Sequence, residues 1–574
     1  MLSIFVMFLL LTVIGVAMGS KDGKVSGNSV LMLDLDHAIP EMTGNVATSG
    51  FSFETNSATG LHDIVKLIKH AETDVSIEGI MFKAPTSSPL GMVTASTIRE
   101  AVKEFRDSSD KFVYAYGDYF VNTTYLIASS ADSIFVNPMG MVDVNGYAAM
   151  IPFFKGAMDK LGVDMNVFYA GQFKSATEPY RRKEMSEQNK RQTREYLSDN
   201  FDLYIQEVSE SRNLSPDKIK ALINELELRN TQQAIDLGLI DAHKHWYEVE
   251  DMLREKLGKK KGRPISYITQ DEYAGKVDLS SGSSSNKVAV IYAEGEVAYN
   301  DENRGNINEE TYHKVFDKIR KDKKVKAVVL RVNSPGGSAF TSDVIWKEIG
   351  QLQKDGLPVV ASFGDYAASG GYYIAASADK IVSHPKTLTG SIGVFSMLPD
   401  FTDAMEDKLG ITFDTVKTSP YAIVASPFYH LRDEEKAALQ SFTDNMYQTF
   451  LTRVSDGRKR SVDDIHEVAQ GRVWTGQKAI DKGLVDELGG LDRAIEIASE
   501  LAEIEEDYKI VEYPRIEMEF WEEILSEFNT GAQASAFASK LSPQEKKILE
   551  TIESYRGIMK FNEPLARLPF EMTY

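Results

Sequence analysis

Short apolar runs alternate with amphipathic stretches along residues 288–382. The runs are short and rich in β-branched residues, as is typical of strands: Val288–Tyr292, Val325–Val332, Leu357–Phe363 and Lys380–Val382. The intervening stretch Thr341–Lys354 places four apolar side chains on one helical face: Val344, Ile345, Ile349 and Leu352. Strands that alternate with helices favour an α/β domain with a largely parallel sheet.

The same pattern occurs twice in the chain, at an offset of about 247 residues. Residues 117–136 and 364–383 share 10 identities over 20 positions without a gap. Further segments correspond in the same order: 30–39 with 288–297, 79–91 with 327–339, 157–163 with 404–411, and 233–241 with 478–486. Each copy closes with a long helical region, at 182–211 and 432–455. The sequence therefore predicts two tandem copies of one α/β unit.

A polar stretch between the copies sets their boundaries. Residues 258–287 are rich in Gly, Ser and Lys, which is typical of an interdomain linker. We therefore expect a first copy at 28–257 and a second copy at 288–504. Residues 505–574 have no partner in the first copy, and we assign them to a C-terminal extension.

The composition narrows the classes of function. The chain has 574 residues and a formal net charge of −21, so binding of nucleic acid would require a strong local basic patch. The one obvious lysine run, Lys259–Lys261, falls in the expected linker, and we predict no nucleic-acid partner. The absence of cysteine excludes disulfides, thiolate zinc sites and a cysteine nucleophile.

The N-terminal segment indicates whether the protein is exported or attached to a membrane. Residues 1–18 contain no charged side chain and reach the minimum length for a membrane span. A cleaved signal peptide is the alternative, because Ala17 and Gly19 fit a small-x-small cleavage site. A buried soluble helix is the third interpretation. Lysines follow the apolar run and none precedes it, so the positive-inside rule does not support an N-inside orientation. We predict that residues 1–19 form a membrane anchor or a signal segment.

One block distinguishes the two copies within their most similar stretch. The second copy has Ser369–Gly371 where the first copy has Asn122–Thr124. The pattern around Ser369 predicts a strand that turns into a helix, which would place the serine hydroxyl beside unpaired helix N–H groups. Serine is also a common helix N-cap, so the position alone does not assign a nucleophile.

A second glycine-rich turn follows the predicted strand Val325–Val332, in the sequence NSPGGSAF at 333–340. The backbone N–H groups of Gly336 and Gly337 would suit an oxyanion hole. A tight turn that requires positive φ is the alternative explanation of this glycine pair. The glycine spacing matches neither the P-loop nor the dinucleotide-binding pattern.

A serine nucleophile requires a base, and the residues offer two types. His384 is the nearest histidine in sequence. A lysine also serves, if burial lowers its pKa by roughly 3 units. The repeat singles out one lysine, because Lys174 in the first copy stands opposite Tyr421 or Ala422 in the second. The first copy thus has the lysine without the serine block, and the second has the block without the lysine. This division favours a Ser–Lys pair shared between the copies.

These motifs together resemble the long form of the signal peptide peptidase A family, which are membrane-anchored bacterial serine proteases of the protease IV type. The resemblance rests on four motifs and covers nearly the whole chain: NSPGG (333–337), YAASGGYYIA (366–375), TGSIGV (389–394) and GQFKSATEPY (171–180). It implies that Ser369 is the nucleophile, Lys174 the general base and Ser391 the residue that orients the lysine. It also implies oxyanion donors at the backbone of Gly370 and of Gly336–Gly337.

The resemblance implies further properties. The fold would be the crotonase-like superhelix shared with the Clp protease subunit, assembled as a homotetramer without cofactor or metal. The substrates would be hydrophobic peptides such as cleaved signal peptides. The protein would cross the bacterial inner membrane once, with its catalytic domains on the extracytoplasmic side. Two alternatives remain at this point: a crotonase-type CoA-binding enzyme, and a catalytically inactive scaffold of the same fold.

Overall fold

The computed structural model of the chain describes residues 24–43, 58–85, 88–225, 228, 230–279, 284–299, 305–424, 426–505, 507–514 and 565–567. The predicted anchor or signal segment at 1–19 lies outside these residues. No helix within the described part of the chain combines the length and the apolar character needed to cross a membrane.

The described residues contain the following strands: β1 Ser29–Asp34, β2 Ile77–Lys83, β3 Phe112–Val121, β4 Ser133–Asp143, β5 Asp164–Ala170, β6 Ala242–His243, β7 Ser266–Thr269, β8 Lys287–Glu294, β9 Val325–Ser334, β10 Gly336–Ser338, β11 Val359–Ala368, β12 Lys380–Ser383, β13 Leu388–Gly390, β14 Val394–Asp400, β15 Val473–Thr475, β16 Glu487–Leu488, β17 Lys509–Tyr513 and β18 Leu565–Arg567.

The helices are the following: Leu61–Thr73, Met92–Ser108, Asn122–Ala128, Lys155–Leu161, Glu178–Arg181, Glu187–Arg212, Pro216–Asn224, Thr231–Asp236, Trp246–Lys256, Gln270–Ala274, Glu309–Lys321, Ala339–Lys354, Gly370–Ala375, Asp433–Arg458, Val462–Val468, Gly476–Asp481 and Leu491–Leu501. A 3₁₀ turn at Ser175–Thr177 and a π-helix at Ala404–Leu409 complete the set.

Two sheets repeat the same strand order. The first sheet runs β6-β4-β3-β2-β1-β7, and all of its neighbours are parallel. In the second sheet, the path β16-β12-β11-β9-β8-β17 is also parallel throughout and follows the same chain order. This match confirms the tandem α/β fold that the sequence pattern predicts.

The outermost pairings fall in the segments that the sequence pattern assigns to a linker and to a C-terminal extension. Strand β7 lies within 258–287, the stretch expected to be a linker, and pairs with β1. Strand β17 lies within the expected C-terminal extension and pairs with β8 in the same way. Each sheet therefore gains its last strand from chain that follows the recognisable repeat.

The strands are apolar because both faces of each parallel sheet are covered by helices. In β8, every residue from Val288 to Ala293 is buried. The predicted helical face at Ala339–Lys354 packs on this sheet through Ile345, Ile349 and Leu352, while Val344 is only half-buried. Helix faces and strand runs together form one large core in each half of the molecule.

A third sheet joins the two halves and positions the candidate site. Strand β5 of the first copy pairs antiparallel with β14 of the second, from Asp164 opposite Asp400 to Ala170 opposite Val394. Lys174 follows the end of β5 and Ser391 precedes the start of β14, so this pairing brings the two residues to the same end of the sheet. Strand β18 lies on the other side of β14 and also pairs with β10.

Candidate active site

Ser369 occupies a strained turn between β11 and the helix Gly370–Ala375. Its backbone has φ 56° and ψ −115°, a conformation that is uncommon for a residue with a side chain. Its N–H donates to Gly390 O at 2.8 Å, and its carbonyl accepts from Tyr373 N at 2.8 Å. The turn depends on Gly371, because a Cβ there would lie 2.7 Å from Ser334 O. The strand-turn-helix context predicted for Ser369 is therefore present.

Lys174 reaches Ser369 from the other half of the molecule. Its Nζ lies 2.7 Å from Ser369 Oγ. The same Nζ lies 3.1 Å from Ser391 O and 3.1 Å from Ser391 Oγ. Lys174 is 1% exposed, and both serines are fully buried. The structure thus brings together the three side chains that the sequence singles out.

Ser391 presents two oxygens to Lys174 because its backbone is left-handed, with φ 52°. Its own N–H donates to Arg472 O at 2.7 Å. The preceding residue, Gly390, has φ 79° and closes β13. Two successive residues with positive φ therefore turn the chain so that both the carbonyl and the hydroxyl of Ser391 face the amine.

Burial sets the electrostatics of this cluster. Desolvation lowers the pKa of Lys174 well below its usual value of 10.5 and is the sole cause of the shift. A neutral amine has two N–H donors and one lone pair. Ser391 O and Ser391 Oγ are placed to accept the two N–H groups, which leaves the lone pair directed at the Ser369 hydroxyl. This geometry suits a lysine that accepts a proton from serine.

The predicted glycine donors lie around Ser369, but they are not equivalent. Gly370 is the first residue of the helix after Ser369, so its N–H has no partner within that helix. Gly337 has φ 152° and fits closely against the chain, since a Cβ there would lie 2.0 Å from Val297 O. The N–H of Gly336 is directed at Ser334 Oγ at 3.2 Å. Gly370 is therefore better placed than Gly336 to receive an oxyanion, and the close fit of Gly337 shows only that this position requires glycine.

The histidine alternative does not fit the structure. His384 is buried, and its Nδ1 accepts from Lys386 N at 3.1 Å. Its Nε2 faces Glu100 at 3.7 Å. Both ring nitrogens are thus directed at groups other than Ser369.

One buried polar residue near Lys174 escaped the sequence analysis. Gln192 lies in the helix Glu187–Arg212 and contacts the residues on both sides of Lys174. A signal for it exists in the repeat, because the matching helix of the second copy has Ala438 at this place. A single Gln-to-Ala difference in a polar helix does not by itself indicate a functional residue. The contacts of Gln192 with Phe173 and Ser175 are needed to recognise it.

Comparison with known proteins adds an independent line of argument. A family model described as Peptidase family S49 matches residues 104–260 and again residues 351–505. Protease 4 of Salmonella typhi is 35% identical over 527 residues, which cover 88% of this chain and 84% of that protein. Protease 4 of Haemophilus influenzae is 32% identical over 557 residues, covering 96% of this chain and 87% of that protein.

Among solved structures, a ClpP1 mutant from Listeria monocytogenes matches with 15% identity and a TM-score of 0.23, covering 36% of this chain and 94% of that one. The two family matches fall one in each copy and together span more than half of the chain, and the Protease 4 relatives match nearly its full length. The CoA-enzyme and inactive-scaffold alternatives find no support among these relatives. The chain belongs to peptidase family S49 and is a serine endopeptidase.

Proposed function

We propose that this endopeptidase uses a Ser–Lys dyad, with Ser369 as nucleophile, Lys174 as general base and Ser391 as the residue that orients the lysine. One observation carries the proposal: Lys174 Nζ lies 2.7 Å from Ser369 Oγ in a site where both side chains are buried away from water. Burial alone accounts for the lowered pKa of Lys174, and within the described part of the chain no carboxylate pairs with it, so its neutral form is favoured and can act as a base.

The proposed reaction follows from the order of the groups around Ser369. Lys174 Nζ takes the hydroxyl proton as Ser369 Oγ bonds to the carbonyl carbon of the scissile peptide. The negative charge that develops on the carbonyl oxygen is stabilised by the N–H groups of Gly370 and Gly337. The intermediate collapses with cleavage of the C–N bond, and Lys174 returns its proton to the leaving amine. Lys174 then takes a proton from water as the water oxygen bonds to the acyl carbon. The ester C–O bond breaks, and Lys174 returns the proton to Ser369 Oγ.

The third sheet supports an extended peptide as the substrate. Strands β10 and β14 flank a position that is occupied by a third strand, β18, which pairs antiparallel with both. Any peptide that takes this position would gain backbone hydrogen bonds on both sides, which recognises extended chains irrespective of sequence. Cleaved signal peptides, which are short and apolar, are the proposed physiological class.

The proposal places the enzyme at the bacterial inner membrane, with residues 1–19 as a single span and both copies on the extracytoplasmic side. The uncharged run at 1–18 supports this placement. Fractionation of cells that produce the full chain tests it: carbonate-resistant membrane association is expected, and release of a soluble enzyme would favour a cleaved signal peptide.

The duplicated unit also supports association of several molecules, and we propose that the assembly is a homotetramer. Within the chain, β14 of the second copy pairs with β5 of the first. The repeat matches β14 with residues 147–153 and β5 with residues 412–418, yet neither of these segments is a strand in the described chain. Both carry exposed apolar side chains, including Met150, Phe413 and Val416. A second molecule would supply the missing pairing, in a head-to-tail arrangement that closes into a ring.

Light scattering after size exclusion tests the assembly. Val416 and Val75 are both exposed valines, but only Val416 lies in the segment proposed to pair between molecules. Val416→Asp is expected to lower the molar mass, and Val75→Asp is expected to leave it unchanged. A wild-type monomer would overturn the proposed tetramer without bearing on the dyad.

A serine-directed activity probe tests the dyad. Wild type is expected to be labelled on Ser369, while Ser369→Ala and Lys174→Ala are expected to lose the label. Ser499→Ala is the matched control, since Ser499 is also buried but donates to its own helix at Glu496 O. Labelling that persists in Lys174→Ala would remove the lysine from the mechanism.

A further inference from the structure

Gln192 is a buried glutamine whose amide nitrogen and amide oxygen both form hydrogen bonds. It is 1% exposed and lies in the helix Glu187–Arg212. Its Nε2 donates to Phe173 O at 3.0 Å and to Ser175 Oγ at 2.9 Å. Its Oε1 accepts from Val473 N at 3.3 Å. A side chain this deep and this fully bonded fixes the relative positions of the groups that it joins.

The groups joined by Gln192 are those that carry the candidate base and its orienting residue. Phe173 and Ser175 are the immediate neighbours of Lys174. Val473 opens β15, which pairs with Gly390 of β13, and Ser391 follows Gly390 directly. The glutamine amide therefore spans the loop of the first copy that holds the lysine and the strand of the second copy that supports Ser391.

A second set of contacts shows how closely these two segments interlock. Phe173 N donates to Gln470 O at 2.9 Å. A Cβ at Gly171 would lie 2.4 Å from Gln470 C, and a Cβ at Gly471 would lie 2.6 Å from Lys174 N. Backbone lies against backbone from Gly171 to Lys174, so a small shift of either segment would move the amine.

The duplication provides an internal comparison. The helices Glu187–Arg212 and Asp433–Arg458 are both 26 residues long, and both end at a residue in the left-handed conformation. Counted from their first residues, Gln192 and Ala438 occupy the same place, and Ala438 is exposed. The glutamine is thus present in the copy that has the lysine and absent from the copy that lacks it.

We infer that Gln192 is a positioning residue for Lys174, acting by holding Phe173 and Ser175 in fixed register with β15, the strand that pairs with the one before Ser391. This inference rests on the proposed role of Lys174 as the base. The hydrogen bonds of Gln192 go to the neighbours of Lys174 and to Val473 rather than to Ser369, so its effect reaches the reaction through the placement of Lys174 and Ser391. A displacement of about 1 Å at a catalytic group lowers turnover by about 100-fold, which sets the scale of the expected effect.

The test compares Gln192→Met with a matched control, Gln270→Met. Gln270 is likewise 1% exposed and bonds through both ends of its amide, to Asp34 N at 2.9 Å and Asp34 O at 2.7 Å, but it lies away from Lys174. Each variant keeps the length of the side chain and removes the amide, so both are expected to melt at a lower temperature. Only Gln192→Met is expected to change the kinetics.

Two kinetic readouts separate positioning from folding. For Gln192→Met, kcat for a chromogenic peptide is expected to fall by about 10- to 100-fold, with KM changed by less than about twofold. The midpoint of the pH profile is also expected to move upward, because a looser loop admits water and weakens the desolvation that lowers the pKa of Lys174. Ser175→Ala removes one partner of the amide and should show the same changes at smaller size.

The outcome that overturns the inference is a Gln192→Met enzyme with wild-type kcat and an unmoved pH midpoint. If that variant does not fold, an unchanged pH profile in Ser175→Ala overturns it. Lys174→Ala separates the inference from the dyad itself. An inactive Lys174→Ala beside a fully active Gln192→Met means that the base is correct and the positioning role is wrong. An active Lys174→Ala means that the proposed dyad is wrong.

Discussion

The turns Asn122–Thr124 and Ser369–Gly371 occupy the same place in the two copies but are stabilised differently. In the first copy, side chains form hydrogen bonds with the backbone of the turn. Thr124 Oγ1 accepts from Val121 N at 3.0 Å and donates to Val121 O at 3.1 Å. Asn122 Nδ2 donates to Gly146 O at 3.0 Å. In the second copy, glycine replaces these side chains and Ser369 takes a positive φ.

The difference shows where the molecule carries strain. A side chain held at positive φ costs of order 1–3 kcal/mol. Among the described residues with positive φ and a side chain, Ser369 and Ser391 contact the Lys174 amine, and Gln470 contacts the loop before it. The turn of the first copy has none of this kind, since Asn122, Thr123 and Thr124 all lie in a helix. One copy of the unit thus has an ordinary capped turn, while the other has a costly turn at the candidate active site.

The largest effect is expected from removing either half of the dyad. Ser369→Ala and Lys174→Ala should each lower kcat/KM for a peptide substrate by about 10³-fold or more, with the fold intact by circular dichroism. In the proposed dyad the two residues act as a unit, so the double variant should be little worse than either single variant. Losses that multiply in the double variant would mean that the two residues act independently.

The first copy offers a stringent control for this prediction. Replacing Asn122, Thr123 and Thr124 with Ser, Gly and Gly recreates the block of the second copy in the first. In a Ser369→Ala background this graft should restore no activity, because the second copy has Tyr421 or Ala422 where the first has Lys174. Recovery of activity would show that the serine block alone suffices.

The pH dependence of activity tests the role of Lys174, the lysine that only the first copy has. Burial lowers the pKa of Lys174, so activity should rise as the amine loses its proton, with a midpoint below 10.5. Lys174→Arg keeps the charge on a group that does not deprotonate in this range, and it should be inactive at every pH tested. An active Lys174→Arg enzyme would assign the lysine an electrostatic role.

The same shift makes a prediction about stability. Between the lowered pKa and the unfolded value near 10.4, the unfolded chain binds more protons than the folded chain, so burial of Lys174 costs less as the pH rises. Lys174→Met should therefore melt at a higher temperature than wild type near neutral pH, and the gain should vanish as the pH approaches 10.5. Differential scanning calorimetry across this pH range measures it.

Much of this comparison could be predicted from the sequence, because local patterns encode it. Apolar periodicity predicts the strands and helices of each unit, and the repeat predicts that two units follow one another. Substitutions between the copies, such as Ser369 against Asn122, mark the candidate site. A divided Ser–Lys pair could be predicted because the repeat supplies an aligned reference within one chain.

Other features depend on long-range contacts that leave no local pattern. Strands β7 and β17 lie in polar or unmatched chain and become strands only by pairing with β1 and β8. The pairing of β5 with β14 crosses from one copy to the other, whereas the repeat compares each copy only with itself. In the sequence, Gln192 is indistinguishable from an ordinary polar helix residue, and only its hydrogen bonds to Phe173 and Val473 set it apart.

A smaller effect is expected at Ser391, whose counterpart in the first copy is Val144. Ser391→Ala removes one of two acceptors for Lys174, while the backbone carbonyl of residue 391 stays in place. A lost hydrogen bond in a buried site costs about 1–3 kcal/mol, so kcat should fall by about 10- to 100-fold rather than vanish. Ser391→Thr keeps the hydroxyl and should retain more activity than Ser391→Ala. Equal losses in both variants would contradict an orienting role for the hydroxyl.

The smallest effect is expected where residues 565–567 lie between the two strands of the site. Leu565 pairs with Ser338 of β10 and with Phe395 of β14, and Ala566 pairs with Gly337. Residues of the helix Gly370–Ala375 lie within 8 Å of this strand, measured between Cα atoms. A peptide substrate that binds by strand addition must therefore displace a short strand of the chain itself.

Ala566→Pro should weaken that internal strand, because proline has no N–H to donate and is excluded from the middle of a sheet. If residues 565–567 occupy the groove in most molecules, the apparent KM is raised by the inverse of the fraction that is open. A strand of three residues contributes on the order of 1 kcal/mol, so Ala566→Pro should lower KM by about fivefold and leave kcat unchanged. Ala566→Ser retains the N–H and serves as the control. A KM that is the same in all three enzymes would mean that peptides enter the site without displacing residues 565–567.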